Sequence, residues 1–504
     1  MPPNYADSGD EKAIVDHLEH VSLIIFFDSP TWRPIEKVQA TIDPVKEKKL
    51  LRKLDLIILP QCTLLFLLNF IDRAAVGNAN VAGFSRDLGL SVPKNEYNVA
   101  LMVFYIFYII GEIPSNLILK KVGSWWLAFL CLGFGVVTIG SAFINNFGEF
   151  LAVRIFLGIV EGGVIPGIAY IMTTFYRRHE LAFRIGVFLS MGPGLSGAFG
   201  GLLAAGFLNA EIGSLRSWQK IFAMEGMITA VFGIIFFFTL PASPEKTRYL
   251  TEEERELALA RVQIEQLGAT TEKTTMKLVW RAIMNPFTWL CTLGYAFINV
   301  IVQGTSLFLP TIIAGLGRYT TTETQLRSVP PYIVASAWSV FLSYFAWKTR
   351  KHGVFIAGSC IFSLIGYIMF LASDNPNVLY GATFLTFTGA LPCGPFFLAW
   401  ATANSGSPTM RAVTAAIVPA WGSVGSMICT WLYLPKYRPR YIPGNSFNVA
   451  SAACAASIAL GLTFYCQWEN KQRNAGKRDH RLDGKSEEDI KHLGHRHPNF
   501  RLMI

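Results

Sequence analysis

The chain has 504 residues, 52% of them hydrophobic and only 15% charged, against about 25% charge in a soluble globular chain; its mean hydropathy is +0.38. The formal net charge of +10 does not point to nucleic acid, because the basic residues sit at the ends of long apolar blocks. No nucleophile–base pair, cofactor motif or metal-ligand spacing is present, so neither an enzyme nor a metal- or cofactor-dependent protein is expected.

Charge gathers in residues 1–54, 245–281 and 468–501. The rest falls into apolar blocks about 20 residues long, the length a helix needs to cross about 30 Å of hydrocarbon. Only internally hydrogen-bonded elements survive there, and continuous rather than alternating hydrophobicity reads as helix, not barrel strand. Spans are expected near 55–80, 98–119, 125–144, 149–175, 183–207, 219–240, 287–313, 329–347, 353–372, 379–403, 413–434 and 447–467. The predicted fold class is an all-α membrane protein, twelve transmembrane helices in two six-helix bundles. Its parts are an N-terminal tail (1–54), a first bundle (55–240), a loop (241–286), a second bundle (287–467) and a C-terminal tail (468–504).

In the N-terminal tail "VSLIIFF" is too short for a signal peptide and follows an acidic start. Span 1 closes on "LNFIDRAAVGNAN", which sets Asp72 and Arg73 side by side in an apolar run. Span 4, running the other way, carries Arg154 and Glu161 in "VRIFLGIVEGGVIPG". These two are seven residues apart and share a helix face. Asp72 lies roughly 6 Å from the centre of its span at about 1.5 Å per residue. Matching depths pairs Asp72 with Arg154 and Arg73 with Glu161. A charge near the bilayer centre costs about 2.5–3.5 kcal/mol on insertion scales, so four of them call for a function or for ion bridges that fix the bundle. Arginine offers a planar two-point grip on a carboxylate and does not deprotonate; a buried carboxylate can carry a proton. Arg73 is therefore the expected anion ligand, Glu161 and Asp72 the proton carriers, and Arg154 an ion-pair partner. Glu112 and Glu225 are further membrane acids nearer span ends. In span 5, "SMGPGLSGAFGGLLAAG" reads as close packing with a bend at Gly192-Pro193.

The middle loop, "LPASPEKTRYLTEEERELALARVQIEQLG", offers Thr251 as N-cap and Glu254 as its capping-box partner. Leu257, Ala260, Ile264 and Leu267 share one face, which reads as a solvated surface helix joining the bundles. The second bundle is neutral, polar and aromatic. Span 7 carries Tyr295, Asn299 and Gln303, the last two on one face. Tyr332, Trp338, Thr386, Trp400, Asn404 and Trp421 follow. Of these, Tyr295, Asn299, Gln303, Trp400 and Asn404 join Arg73 as expected substrate contacts. A charged half facing a neutral one suits a substrate with a carboxylate at one end and a planar or polar body. The eight cysteines all lie in apolar blocks and imply no disulfide framework. His492, His495 and His497 read as a solvated tail.

Lys120-Lys121, Arg177-Arg178, Lys348, Arg350-Lys351 and Arg411 fall in loops on one side, with both tails and the middle loop. The positive-inside rule makes that side cytoplasmic. The basic run "PKYRPRY" near 435–441 is an exception on the other side.

Six stretches together, "LNFIDRAAVGNAN", "GEIPSNLILKKVG", "RIFLGIVEGGVIPG", "YRRHELAFRIG", "LPASPEKTRYLTEEE" and "FLPTIIAGLG", resemble the anion:cation symporter branch of the major facilitator superfamily over roughly residues 50–470. The closing "LGHRHPNFRLMI" resembles the tail of fungal allantoate, nicotinate and other vitamin permeases. The resemblance implies anion binding and proton coupling at Arg73 and Glu161, with Asp72 and Arg154 beside them. The superfamily's G-x-x-x-D-R-x-G-R loop is replaced by "NLILKKVGSWW", which lacks the acid and the last arginine, so a charge relay in that loop is not expected. "GPGLSG" partly resembles the glycine-proline motif of proton antiporters, which keeps export open.

The expected function is a monomeric, proton-coupled secondary transporter in the plasma membrane, importing a small organic anion by alternating access. Its partners are the anion, protons and the lipid bilayer, with no nucleic acid and no cofactor. The alternatives are a proton-driven exporter of a metabolite or toxin, and a membrane receptor that senses without transporting.

Overall fold

The computed structural model describes residues 43–210, 213–269, 276–317, 319–484 and 493–504; most of the expected N-terminal tail, and His492, lie outside these. The described residues form helices without strands. In chain order they are α1 Pro44–Val81, α2 Glu96–Val122, α3 Ser124–Ser141, α4 Phe147–Glu161, α5 Val164–Phe175, α6 Arg178–Asn209, α7 Ser217–Thr239, α8 Glu252–Ala269, α9 Met276–Ile283, α10 Pro286–Ala314, α11 Thr321–Thr349, α12 His352–Ala372, α13 Pro376–Ala390, α14 Cys393–Ala403, α15 Pro408–Cys429 and α16 Ile442–Asn474. With α4–α5 and α13–α14 each making one interrupted crossing, the twelve expected spans are all present, most of them longer than read. Among the described residues eleven are long and apolar enough to cross a membrane; α6, 32 residues long, is the twelfth.

Contacts divide the chain into residues 1–48 and 49–504, and the second unit holds both six-helix bundles. Each bundle has its own core, but the cores trade residues. Val300, Leu307, Phe308 and Tyr433 of the second bundle join the first core, and Ala198 of α6 joins the second. Large apolar side chains such as Trp125, Phe129, Phe238 and Phe464 are exposed, as lipid-facing positions are. Lipid tails are as apolar as leucine, so helix association here rests on close packing rather than on water exclusion. Glycine supplies it. Gly158 and Gly162 bring α4 against the backbone of α2 at Phe104 and Tyr108. Gly194, Gly197 and Gly201 make a ridge on α6 that seats Ser336, Tyr332 and Ser328 of α11. That ridge, read from sequence as packing, is a principal contact between the bundles.

The ends nearest the termini will be called the near side, the opposite ends the far side. Hydrogen bonds that join the bundles run from Gln325 to the Asn78 carbonyl, from Asn98 to the Thr430 carbonyl, from Trp431 to Met102, and from Tyr105 to Gln303. These bonds lie between the middle and the far side.

The loop helix departs from expectation. Its capping box forms, with Thr251 N donating to Glu254 Oε2 at 3.0 Å. But α8 is docked rather than solvated: Ala258 and Arg261 are buried, Arg261 pairs with Glu180 of α6, and Lys53 Nζ reaches Glu254 at 2.5 Å. That lysine, then the Thr251 amide, hold the Glu254 carboxyl below its ordinary range. The far-side basic run also finds partners. Arg440 meets Asp374 at 3.0 Å and donates to the Leu371 carbonyl, and Arg438 donates to Tyr441. These arginines tie the α15–α16 connection to its neighbours, which accounts for their position against the positive-inside rule.

Candidate functional site

Arg73 is 5% exposed and Glu161 is fully buried. Arg73 Nη2 and Nε both donate to one Glu161 oxygen, at 3.0 and 3.3 Å, and Nη2 also reaches Asn69 Oδ1 at 3.4 Å. The rings of Phe70, Tyr108 and Phe104 wall the guanidinium at 4.9, 4.9 and 5.3 Å. Asn69 stands four residues before Arg73 and so shares its face of α1. The second oxygen of Glu161 has no hydrogen-bond partner.

Arg73 lines a cavity of about 10 Å³ between the bundles, with Phe70, Pro193, Ser196, Gln303 and Tyr332. That is room for about one water, so an organic solute enters only when the bundles move apart. Gln303 receives the Tyr105 hydroxyl at 3.3 Å, and Tyr332 donates to the Ser306 carbonyl at 3.4 Å. Tyr105 and Ser196 escaped the sequence reading. Tyr105 stands in an aromatic run that reads as packing, and Ser196 in a run that reads as a glycine hinge. The three-residue spacing of Tyr105 and Tyr108 was the available signal, since it puts both hydroxyls on neighbouring positions of one helix side, where Tyr105 meets Gln303 and Tyr108 meets Arg73.

The structure brings Arg73 to Glu161 and does not bring Asp72 to Arg154. Asp72 turns to α7, where Thr229 donates to Oδ1 at 3.3 Å, and Oδ2 has no partner. Arg154 stays on α4 over the Phe150 ring at 5.3 Å, its Nε without a partner. Depth was matched but direction was not: neighbours on a helix point about 100° apart, so when Arg73 faces α4, Asp72 faces elsewhere. Glu225, four residues before Thr229 on α7, is buried with both carboxyl oxygens unpartnered. Glu112 is half-buried.

Of the second-bundle residues singled out in the sequence, Gln303 and Tyr332 line the cavity, and of the expected substrate contacts there Gln303 alone does. Asn299 is committed to the Gly422 carbonyl of α15 at 3.1 Å. The Tyr295 ring lies against Gly422 and 3.5 Å from a side chain built at Gly394. Trp400 and Asn404 are buried at the near-side end of α14, where both bind the backbone of Met503. They hold the chain's own last residues rather than the cavity. Trp421 is exposed and meets Trp289, Trp338 stacks on Phe341, and the Thr386 hydroxyl bonds within its own helix.

Arranged this way, the site can hold one anionic group between an arginine and a neutral polar wall, with one acid already on the arginine. The sequence matches the family profile described as Major Facilitator Superfamily over residues 62–430. It is 31% identical over 468 residues to an uncharacterized transporter of Schizosaccharomyces pombe, covering 92% of this chain and 91% of that one. It is 29% identical over 430 residues to the high-affinity nicotinic acid transporter of Saccharomyces cerevisiae, covering 85% and 80%. In fold it is similar to the proton:xylose symporter XylE bound to 6-bromo-6-deoxy-D-glucose, with a TM-score of 0.61 at 19% identity over 82% of this chain and 95% of that one.

Proposed function

The chain belongs to the Major Facilitator Superfamily, and we propose that it is a proton-coupled importer of a small organic anion that works by alternating access. The observation that carries this reading is the Arg73–Glu161 bridge at the interbundle cavity. Arg73 is held in its buried site by a paired carboxylate, and breaking a buried pair by removing one partner costs about 3–5 kcal/mol. Two anions are available to Arg73: the Glu161 carboxylate and the substrate. When the substrate carboxylate takes the two-point grip, Glu161 gives up its share of the arginine. It is then stable in low dielectric only as the neutral acid, so it takes up a proton. Substrate and proton therefore enter together, and the net charge at the site stays constant through the cycle.

Asp72, which Thr229 and not an arginine contacts, offers a second proton position on the α7 side. Gln303 and Tyr332 form the neutral wall for the substrate body. The name of the budding-yeast relative makes nicotinate, a planar ring with one carboxylate, the first compound to try. The positive-inside rule supports cytoplasmic termini, and uptake from outside the cell would place the protein in the plasma membrane. With that orientation the Gln325–Asn78 and Asn98–Thr430 contacts lie toward the outer face. Export by the same residues is the competing reading, supported by Pro193 of the "GPGLSG" run at the cavity wall.

The test is flux of radiolabelled nicotinate and a panel of small carboxylates into and out of proteoliposomes under an imposed pH gradient. Accumulation on the alkaline side supports proton symport. Accumulation on the acidic side supports antiport and would overturn import as the primary direction.

A further inference from the structure

Residues 493–504 lie in a groove at the near-side end of the second bundle, and the groove grips them almost wholly by their backbone. Asn470 of α16 accepts from Leu502 N at 2.9 Å and donates to the Leu502 carbonyl at 2.8 Å. Asn404, just after α14, accepts from Met503 N at 2.7 Å and donates to the Met503 carbonyl at 3.1 Å. Successive residues of an extended chain face opposite ways, so two carboxamides on facing helices read two consecutive residues, one from each side. Trp400 Nε1 adds a bond to the Met503 carbonyl at 2.8 Å, and the His352 amide reaches the Ile504 carbonyl at 2.7 Å. Arg473, held by Glu469, donates to the carbonyls of Phe500 and His495. Side-chain selectivity comes from Leu502, which is buried in the second core with Phe500, Met503 and Ile504 packed around it.

This groove also touches the transport pathway through α14. The crossing breaks between Ala390 and Cys393, which leaves α14 as a separate rod about 16 Å long at 1.5 Å per residue. The break and the first turn of α14 meet the interbundle region: Leu391 packs 3.0 Å from a side chain built at Gly194 of α6, and Gly394 faces Tyr295. The last turn of α14, and Asn404 after it, sit in the grip of residues 502–504.

We propose that the near-side end of the second bundle is a peptide-binding groove whose occupant is the chain's own segment 493–504, and that the docked segment fixes the position of α14 and so sets the near-side separation of the bundles. The peptide part stands without any transport reading; the gating part requires only that the two bundles move.

The experiment uses the full chain carrying Leu502→Asp and Met503→Pro, which lose the buried anchor and the amide that Asn404 accepts while leaving the groove intact. A fluorescent synthetic peptide of sequence LGHRHPNFRLMI is titrated onto this variant and onto the natural chain in nanodiscs. Saturable binding to the variant is expected, with affinity for the natural chain lower by about tenfold or more, because its groove is filled. Adding Asn404→Ala and Asn470→Ala to the variant is expected to weaken the peptide by a further factor of about thirty or more, the loss of two pairs of hydrogen bonds. Equal binding to the natural and released chains, or none to either, overturns the groove.

For gating, spin labels at Thr173→Cys and Thr402→Cys, with the exposed Cys454 replaced by serine, report the near-side separation of the bundles. Release of the segment is expected to shift the distance distribution away from that of the natural chain, and added peptide is expected to restore it. Distances that ignore both release and peptide overturn the gating role while leaving the groove.

Discussion

Arg73 gives two of its nitrogens to the same oxygen of Glu161, at 3.0 and 3.3 Å, and leaves the second Glu161 oxygen without a hydrogen-bond partner. An arrangement built only to fix the bundle would use both carboxylate oxygens, as Arg184 does with Asp55 at 2.6 and 2.7 Å. The bridge at the cavity is the less complete one, which suits a partner that must let go.

The two-point grip predicts the outcome of Arg73→Lys. Lysine keeps the charge but presents a single point and cannot lie flat among Phe70, Phe104 and Tyr108. Uptake is expected to fall by about tenfold or more, the value of one lost charge-assisted hydrogen bond, with surface expression unchanged. Substrate affinity within twofold of the natural chain would remove Arg73 as the anchor.

Glu161→Gln fixes the neutral form of the acid. The variant is expected to bind and exchange substrate, since Arg73 is released from competition, but to lose accumulation driven by a pH gradient. Counterflow and gradient-driven uptake, measured in one proteoliposome preparation, separate the two effects. Full gradient-driven accumulation would move the coupled proton to Asp72 or away from this site.

The fold was legible because hydrocarbon thickness imposes block length, and the blocks were unbroken. One argument, matched depth and the shared face of Arg154 and Glu161, paired Arg73 with Glu161 and Asp72 with Arg154. It took no account of the rotation between adjacent residues, which left Arg73 facing Glu161 and sent Asp72 to Thr229. Trp400 and Asn404 failed for another reason. A polar side chain turned inward near a span end reads the same whether it awaits a solute or the chain's own backbone. Hydropathy cannot tell that residues 493–504, polar enough to look solvated, fold back onto it.

The separation of Asp72 from Arg154 reverses an expectation from sequence. A direct pair would make the double variant recover what each single change loses. With the side chains apart, the destabilisation by Asp72→Asn and by Arg154→Gln is expected to add within about 0.3–0.5 kcal/mol. Asparagine can still accept from Thr229, so Asp72→Asn should be the milder of the two. Thermal stability of the three variants in one membrane preparation decides it. Recovery in the double variant would mean that the two side chains meet in another state of the cycle.

The grip on residues 493–504 is expected to weaken in acid, through His495. Burial first, and then Arg496, Arg473, Arg281 and Arg481 around it, push this imidazole down to about 4 from its ordinary 6.5. The docked segment thus holds His495 neutral, while a released segment is protonated below 6.5. A group whose docked value is depressed adds full stability above the released value and loses it as pH falls toward the docked one. Docking should be strongest above about 6.5 and decline steadily toward about 4. A spin label on the exposed Asn499, introduced as Asn499→Cys in the Cys454→Ser background, should show a growing mobile fraction over that window. His495→Gln, which cannot charge, should flatten the profile and leave the segment docked at pH 5. A mobile fraction that rises equally in both chains would place the acid-sensitive group elsewhere, with the carboxylate of Glu469 beneath Arg473 the next to replace.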